Sequence, residues 1–418
     1  MSLTVKDARL DGAAVVVRVE GDRIVAIGAD VEPEAGDDVL DAAGMALVPG
    51  LVNGHTHAAM TLMRGYGGDL PLMKWLQDKI FPVEAKLTAD DVYWGTRLAC
   101  VEMIRSGTVR FWDMYWQPEA VARAVQDAGI RASFALPLVD GLDAGKSDAL
   151  RVDAERSLDA LADAGPRVTR TLGPHSIYLV SEKSLHWIAE LSSERGLRVH
   201  IHLSETEGEV HDCVVAHDVR PAPYLDRIGL LTERTILAHG VWLDDDELAL
   251  VGERGATIVT NPVSNLKLAV GRVFPYAKAR RHGIPVGLGT DGPSSNNSLD
   301  LFQDVKHLAL VQKQVERDPA AMPATEAWAV VTGQRAPVLA QRGGLEAGEP
   351  ADFLLVRSDA PELTPGDLTA NLVYAAAGSV VDTTVVAGRV LMRGGVIGDE
   401  AEVRAGAIAS ARRLGVIE

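Results

Sequence analysis

The residues best suited to chemistry in this chain are histidines, and their spacing is informative. His55-Thr56-His57 follows the apolar run 46–52. On an extended strand, side chains two residues apart share a face. Two imidazoles at such a strand end can grip one metal ion, and neutral imidazole suits zinc and several other transition metals. The same logic marks His175 in Gly173-Pro174-His175-Ser176, His200 and His202 in Val199-His200-Ile201-His202-Leu203, and His239 in Ala238-His239-Gly240. Six of the eleven histidines therefore stand at the ends of short apolar runs. Asp291, in Thr290-Asp291-Gly292, adds a carboxylate at another such end. A catalytic zinc commonly has three protein ligands and an open position. His55, His57, one of His200 and His202, and Asp291 make a suitable set. Spacing alone does not choose between His200 and His202, which share a face. Glu205 lies three residues beyond His202, where a carboxylate can move protons beside a metal without ligating it. His186, His211, His217, His282 and His307 fall in charged, helix-like stretches and read as surface residues.

These residues need a frame that brings distant strand ends together. Strand-like runs at 51–56, 108–113, 131–136, 169–173, 198–203, 235–239, 257–261 and 285–290 alternate with helical stretches at 90–106, 119–128, 181–194 and 245–254. Several of the helical stretches end in glycine, as at Gly107, Gly129, Gly196, Gly255 and Gly283. Eight strand–helix units predict an α/β fold, a TIM-type (β/α)8 barrel, whose active sites form at the C-terminal strand ends. An open doubly wound sheet is the competing fold, but no G-x-G-x-x-G follows the first strand. Residues 13–19 and 23–27 flank Glu20-Gly21-Asp22 as a hairpin, and strand-like runs return at 351–356 and 383–391. The expected division is a barrel over 51–346 and a small β-sandwich from both chain ends, 1–50 and 347–418.

Composition narrows the function. Hydrophobic residues make up 47% of the 418 positions, enough for a large core. The 58 acidic and 41 basic residues leave a net charge of −17, which argues against nucleic acid or an anionic membrane as partner. Only Cys100 and Cys213 are present, so a thiolate zinc site and a disulfide framework are not indicated. No signal peptide is evident at the N-terminus and no apolar run reaches membrane-span length, which together predict a cytoplasmic protein.

With these motifs assembled, the chain resembles the amidohydrolase superfamily, most closely its 5′-methylthioadenosine/S-adenosylhomocysteine deaminase branch. The matching stretches include Pro49-Gly50-Leu51-Val52-Asn53-Gly54-His55-Thr56-His57, Leu70-Pro71-Leu72-Met73-Lys74-Trp75-Leu76, His202-Leu203-Ser204-Glu205-Thr206, Asn261-Pro262-Val263-Ser264-Asn265 and Gly289-Thr290-Asp291-Gly292-Pro293-Ser294-Ser295. The resemblance implies one divalent metal, zinc first with Fe2+ or Mn2+ as alternatives, held by His55, His57, His202 and Asp291. It implies a mononuclear site, because the segment 169–173 lacks the lysine that bridges two metals in binuclear relatives. The implied reaction is hydrolytic deamination of an adenosine-type nucleoside. Asp291 would accept the water proton, His239 would orient the attacking oxygen, and Glu205 would protonate the ring nitrogen beside the amino carbon. Trp75, Glu84, His175, Arg151 and Ser295 are the implied substrate contacts. Glu84 would meet the ribose diol, and Arg151 the carboxylate of S-adenosylhomocysteine. Asn296 and Asn297 are further candidates for the pocket wall. Other aminated rings, among them aminodeoxyfutalosine, guanine-like or pterin bases and s-triazines, are the alternative substrates. The partner expected is a small molecule, with homo-oligomerisation common among relatives. Val109-Arg110-Phe111-Trp112-Asp113 departs from the branch pattern. A buried Arg110 needs a partner, with Asp113 or Glu102 the candidates.

Overall fold

Short apolar runs become strands here, and several are followed by a helix whose start is chemically signed. The computed structural model describes residues 2–70, 72–341 and 343–418. Eight parallel strands stand in sequential order: β6 (Leu51–Thr56), β7 (Thr108–Met114), β8 (Arg131–Leu138), β9 (Val168–Pro174), β10 (Val199–Leu203), β11 (Thr235–His239), β12 (Thr257–Thr260) and β13 (Val286–Leu288). The helix Ala89–Arg105 begins with a capping box between Thr88 and Asp91, and Asp245–Arg254 with one between Asp244 and Glu247. The latter ends at Gly255, in the left-handed conformation at φ 72°.

The seam between β13 and β6 is closed by side chains as well as backbone. Asn53 Nδ2 donates to Thr290 Oγ1 at 2.8 Å, and its Oδ1 accepts from the Thr290 backbone N–H at 3.1 Å. One residue on, the Asp291 N–H donates to the His55 carbonyl at 3.0 Å. Gly289 lies in this seam, where a Cβ would stand 2.4 Å from Asn261 Oδ1 and 2.8 Å from the His55 carbonyl. No side chain fits there, and the seam joins the two ends of the chain that carry His55 and Asp291.

The N-terminal end of the barrel is plugged. Val52, Trp112, Ile236, Val259 and Leu339 pack together there, and Trp112 Nε1 donates to the Leu339 carbonyl at 3.0 Å. Trp112 is fully buried in this plug and does not line the substrate cavity. Arg110 is also buried. Of its two expected partners, Glu102 is bridged by Arg64, while Asp113 Oδ1 accepts the Ala58 N–H at 2.7 Å.

Strands from both chain ends form a second sheet. It comprises β1 (Ser2–Leu10), β2 (Ala13–Glu20), β3 (Arg23–Gly28), β4 (Asp38–Asp41), β5 (Met45–Pro49), β14 (Phe353–Arg357), β15 (Val381–Val386) and β16 (Arg389–Met392). β2 and β3 pair antiparallel as the hairpin reading requires, and β5 pairs β14 antiparallel. Leu3, Val5, Val17, Val19, Phe353 and Leu355 build its own apolar cluster. The expected single strand over 383–391 is a correction: it is two strands turning at Ala387-Gly388, with φ of 50° and 71°. Two consecutive positive φ values make the tight turn that suits a hairpin. Among the described residues, no helix is long and apolar enough to cross a membrane.

Candidate metal centre and catalytic pocket

Above the apolar plug the barrel interior turns polar in layers. His200 comes first, fully buried, with its ring 6.2 Å from Trp112. Its Nε2 lies 3.0 Å from His55 Nδ1. Burial holds the His200 imidazole well below its usual pKa, so it is neutral and can accept the His55 Nδ1 proton. That leaves His55 Nε2 as a lone-pair donor facing up the barrel. This atom is buried without a hydrogen-bond partner, 3.5 Å from Asp291 Oδ1.

The same pattern repeats around the site. The Nδ1 atom of His57 bonds the Met114 carbonyl at 2.8 Å, that of His202 the His175 carbonyl at 2.7 Å, and that of His239 the Asn265 side-chain oxygen at 2.8 Å. Each bond fixes a ring and turns Nε2 toward a common point, as outer partners do for metal-binding histidines. His57 Nε2 stands 3.3 Å from Asp291 Oδ1 and 3.2 Å from His202 Nε2. Ligands about 2.0–2.2 Å from one cation lie roughly 3.3 Å apart in a tetrahedron, so these separations fit a single ion. Donor atoms of His55, His202, His239 and Asp291 all lie within 4.8 Å of one another. Asp291 is oriented in turn by Ser264 and Ser295, whose hydroxyls donate to Oδ2 at 2.6 and 2.7 Å.

The carboxylate and the imidazoles shift one another's proton affinity. Burial tends to raise Asp291, but the neighbouring His55 and His57 hold it well below the usual carboxylate range. Burial lowers His57, yet Asp291 beside it lifts that imidazole to about 9, while burial takes His55 down to about 4. β9 carries no lysine.

Three non-glycine residues at the strand ends have positive φ: Ser204 at 52°, His239 at 75° and Asp291 at 61°. Strain of this kind collects at functional sites. Here it re-aims the chain so that Glu205, His239 and Asp291 face one cavity. Glu205 is buried, with a carboxyl oxygen 3.8 Å from His239 Nδ1. Burial pushes its pKa up, although His239 opposes the shift. Behind it, the Glu209 carboxylate accepts the N–H groups of Ser204 and Glu205 at 2.8 and 2.9 Å. Burial raises Glu209 to about 7.

The cavity over this cluster measures about 260 Å3. Trp75, Glu84, His175 and Ser295 line it, together with His57, His202, His239, Glu205 and Asp291. Trp75 is buried, with Nε1 3.5 Å from the Tyr66 carbonyl. Burial raises the Glu84 carboxyl, with Tyr115 and Trp116 beside it working the other way. His175 stacks on His202 with ring centres 4.5 Å apart, and burial lowers it to about 3.

Two expectations are corrected. Arg151 is not brought to the cavity: it lies on the helix Ser147–Ala160 and pairs with Glu155 at 3.0 Å, one helical turn away. Asn296 faces away from the pocket, its amide donating to the Thr290 carbonyl at 2.8 Å and to Asp304, and Asn297 accepts from Lys267. Ser295 reaches the cavity wall, but its hydroxyl is committed to Asp291. Sequence reasoning missed the support groups Ser264, Asn265 and Glu209, and the wall residues Tyr115 and Tyr178. Ser264 and Asn265 stand in the Asn261-Pro262-Val263-Ser264-Asn265 stretch, where proline at the helix start was the available signal.

The layering predicts a measurable effect at His200. Replacing it with leucine removes the acceptor for His55 Nδ1 and should weaken metal affinity about 10–100-fold. Competition against a chelator measures this, and an unchanged affinity would show that the His55–His200 contact does not orient the donor.

The fold and this cluster define a barrel hydrolase built around a divalent-metal centre. The profile of the amidohydrolase family matches residues 46–391. The chain belongs to that family, and it is a hydrolase acting on C–N bonds. It is 50% identical, over 90% of its length and 86% of the relative's, to a 5′-deoxyadenosine deaminase of Methanoregula boonei. It is 41% identical to 5-methylthioadenosine/S-adenosylhomocysteine deaminase 1 of Archaeoglobus fulgidus, covering 92% and 91% of the two chains. A crystal structure of an adenosine deaminase from Xanthomonas campestris with bound zinc superposes with a TM-score of 0.92, at 32% identity and 99% coverage of both chains.

Proposed function

We propose that this protein hydrolytically deaminates an adenosine-type nucleoside, converting the C6 amino group to a carbonyl and releasing ammonia. The supporting observation is the placement of Glu205 and His239 against the histidine–aspartate cluster in a cavity whose wall also carries Glu84. The similarity to the two nucleoside deaminases above points the same way. A divalent cation held by His55, His57, His202 and Asp291, zinc first by donor chemistry, supplies Lewis acidity and makes water reactive near neutral pH.

The chain's own groups handle orientation and protons. Asp291 accepts a proton from the attacking water. His239, its ring fixed by Asn265, turns Nε2 toward the attacking oxygen, where it accepts a hydrogen bond and aligns the attack on C6. Glu205 protonates the ring nitrogen next to C6, and the ring accepts the electron pair displaced by the new C–O bond. A proton then reaches the amino group, the C–N bond breaks, and ammonia leaves as the carbonyl forms. A buried carboxyl with a raised pKa suits this acid–base shuttle. Leu72, Leu76, Ile80 and Trp75 give the cavity apolar wall against which a purine base can pack.

Glu84 is assigned the ribose hydroxyls, because a carboxylate accepts two hydrogen bonds from a diol. Glu84→Gln should raise KM for adenosine-type substrates about tenfold and leave KM for a 2′,3′-dideoxy analogue nearly unchanged. Equal losses on both substrates would remove Glu84 from the diol.

A further inference from the structure

Beside the cavity above the metal cluster lies a second one. The two share a wall made by Leu72, Tyr178, Leu179 and Glu205, and the outer cavity measures about 430 Å3. The ionisable groups facing the outer space are Glu205, Glu209, Asp212 and His217. Those facing the inner one are Glu84, Glu205, Asp291 and the site histidines. Among the described residues, no lysine or arginine lines either cavity. Arg151 pairs with Glu155, and Lys267 donates to the Ser294 carbonyl and to Asn297. His217 stacks on Tyr224 with ring centres 4.0 Å apart and lies 3.8 Å from Glu182.

Nucleosides of this class differ mainly in what they carry at C5′, and whichever cavity receives that group offers it carboxylates and apolar side chains. An incoming anion loses water on entry and finds no lysine or arginine side chain to pair with, while a neutral or apolar group is accommodated. We infer that the enzyme selects by charge at the 5′ position, accepting 5′-deoxy and 5′-alkylthio adenosines and discriminating against a 5′ group that bears a carboxylate. This inference rests on the deamination reading given above.

The test uses the metal-loaded enzyme and four substrates: 5′-deoxyadenosine, 5′-methylthioadenosine, S-adenosylhomocysteine and the carboxamide of S-adenosylhomocysteine. The amide keeps the size and the ammonium group and removes only the negative charge. Ammonia release should give a kcat/KM for S-adenosylhomocysteine at least about tenfold below that for methylthioadenosine. The carboxamide should recover most of the difference. Asp212→Arg, at an exposed position on the outer cavity, should raise the ratio of S-adenosylhomocysteine to methylthioadenosine turnover about fivefold or more. Equal turnover of acid and amide, or S-adenosylhomocysteine as good a substrate as methylthioadenosine, would overturn the charge selection and leave deamination standing. No ammonia from any of the four would overturn both.

Discussion

Glu205→Gln should lower kcat by about 10²–10⁴-fold while the protein keeps its metal. Glutamine preserves the volume of a residue that is only 5% exposed. It also leaves intact the two backbone bonds by which Glu209 holds the 204–205 turn. It removes the single property that the reaction asks of this position, a proton that can be given and taken back. Glu205 lies outside the group of donors that converge on the metal position, so metal content should not change. Steady-state rates with metal analysis of the same sample check both halves. Rates near those of the unaltered enzyme would remove Glu205 from proton transfer, and loss of metal would place it among the ligands instead.

Removing the divalent ion should abolish turnover and lower stability together. Without the cation, the buried Asp291 carboxylate is left among imidazoles and the hydroxyls of Ser264 and Ser295. A ligand present at about 1,000 times its Kd contributes about 4 kcal/mol to the folded state. Chelation should therefore depress Tm by several degrees and bring kcat to background. Zinc, Fe2+ or Mn2+ should restore both. Activity that persists in chelated protein with no residual metal would contradict the assignment of these donors.

Much of this site was legible because its key residues end strands. Short apolar runs closed by His57, His202, His239 or Asp291 can be read from period and punctuation alone, and the barrel converts eight separate endings into one surface. The choice of His202 over His200 came from the motif, and the two rings stand in different layers. His202 Nε2 faces the other donors, while His200 sits one layer lower against His55. The support groups were hidden because their roles depend on contacts between segments far apart. Ser264 and Asn265 acquire meaning only when the turn after β12 folds over Asp291 and His239. Glu209 looked like one acid among several in Glu205-Thr206-Glu207-Gly208-Glu209, and burial alone distinguishes it. Arg151 misled for the opposite reason. The resemblance offered it as a ligand contact on a loose match, while helical spacing offered Glu155 as a nearer partner.

The most direct test of the central claim is ammonia release from 5′-deoxyadenosine and 5′-methylthioadenosine by metal-loaded protein, with the purine product identified. The predicted result is stoichiometric ammonia and the corresponding inosine analogue, both lost on chelation. Turnover of a free base or a triazine with no turnover of either nucleoside would contradict it.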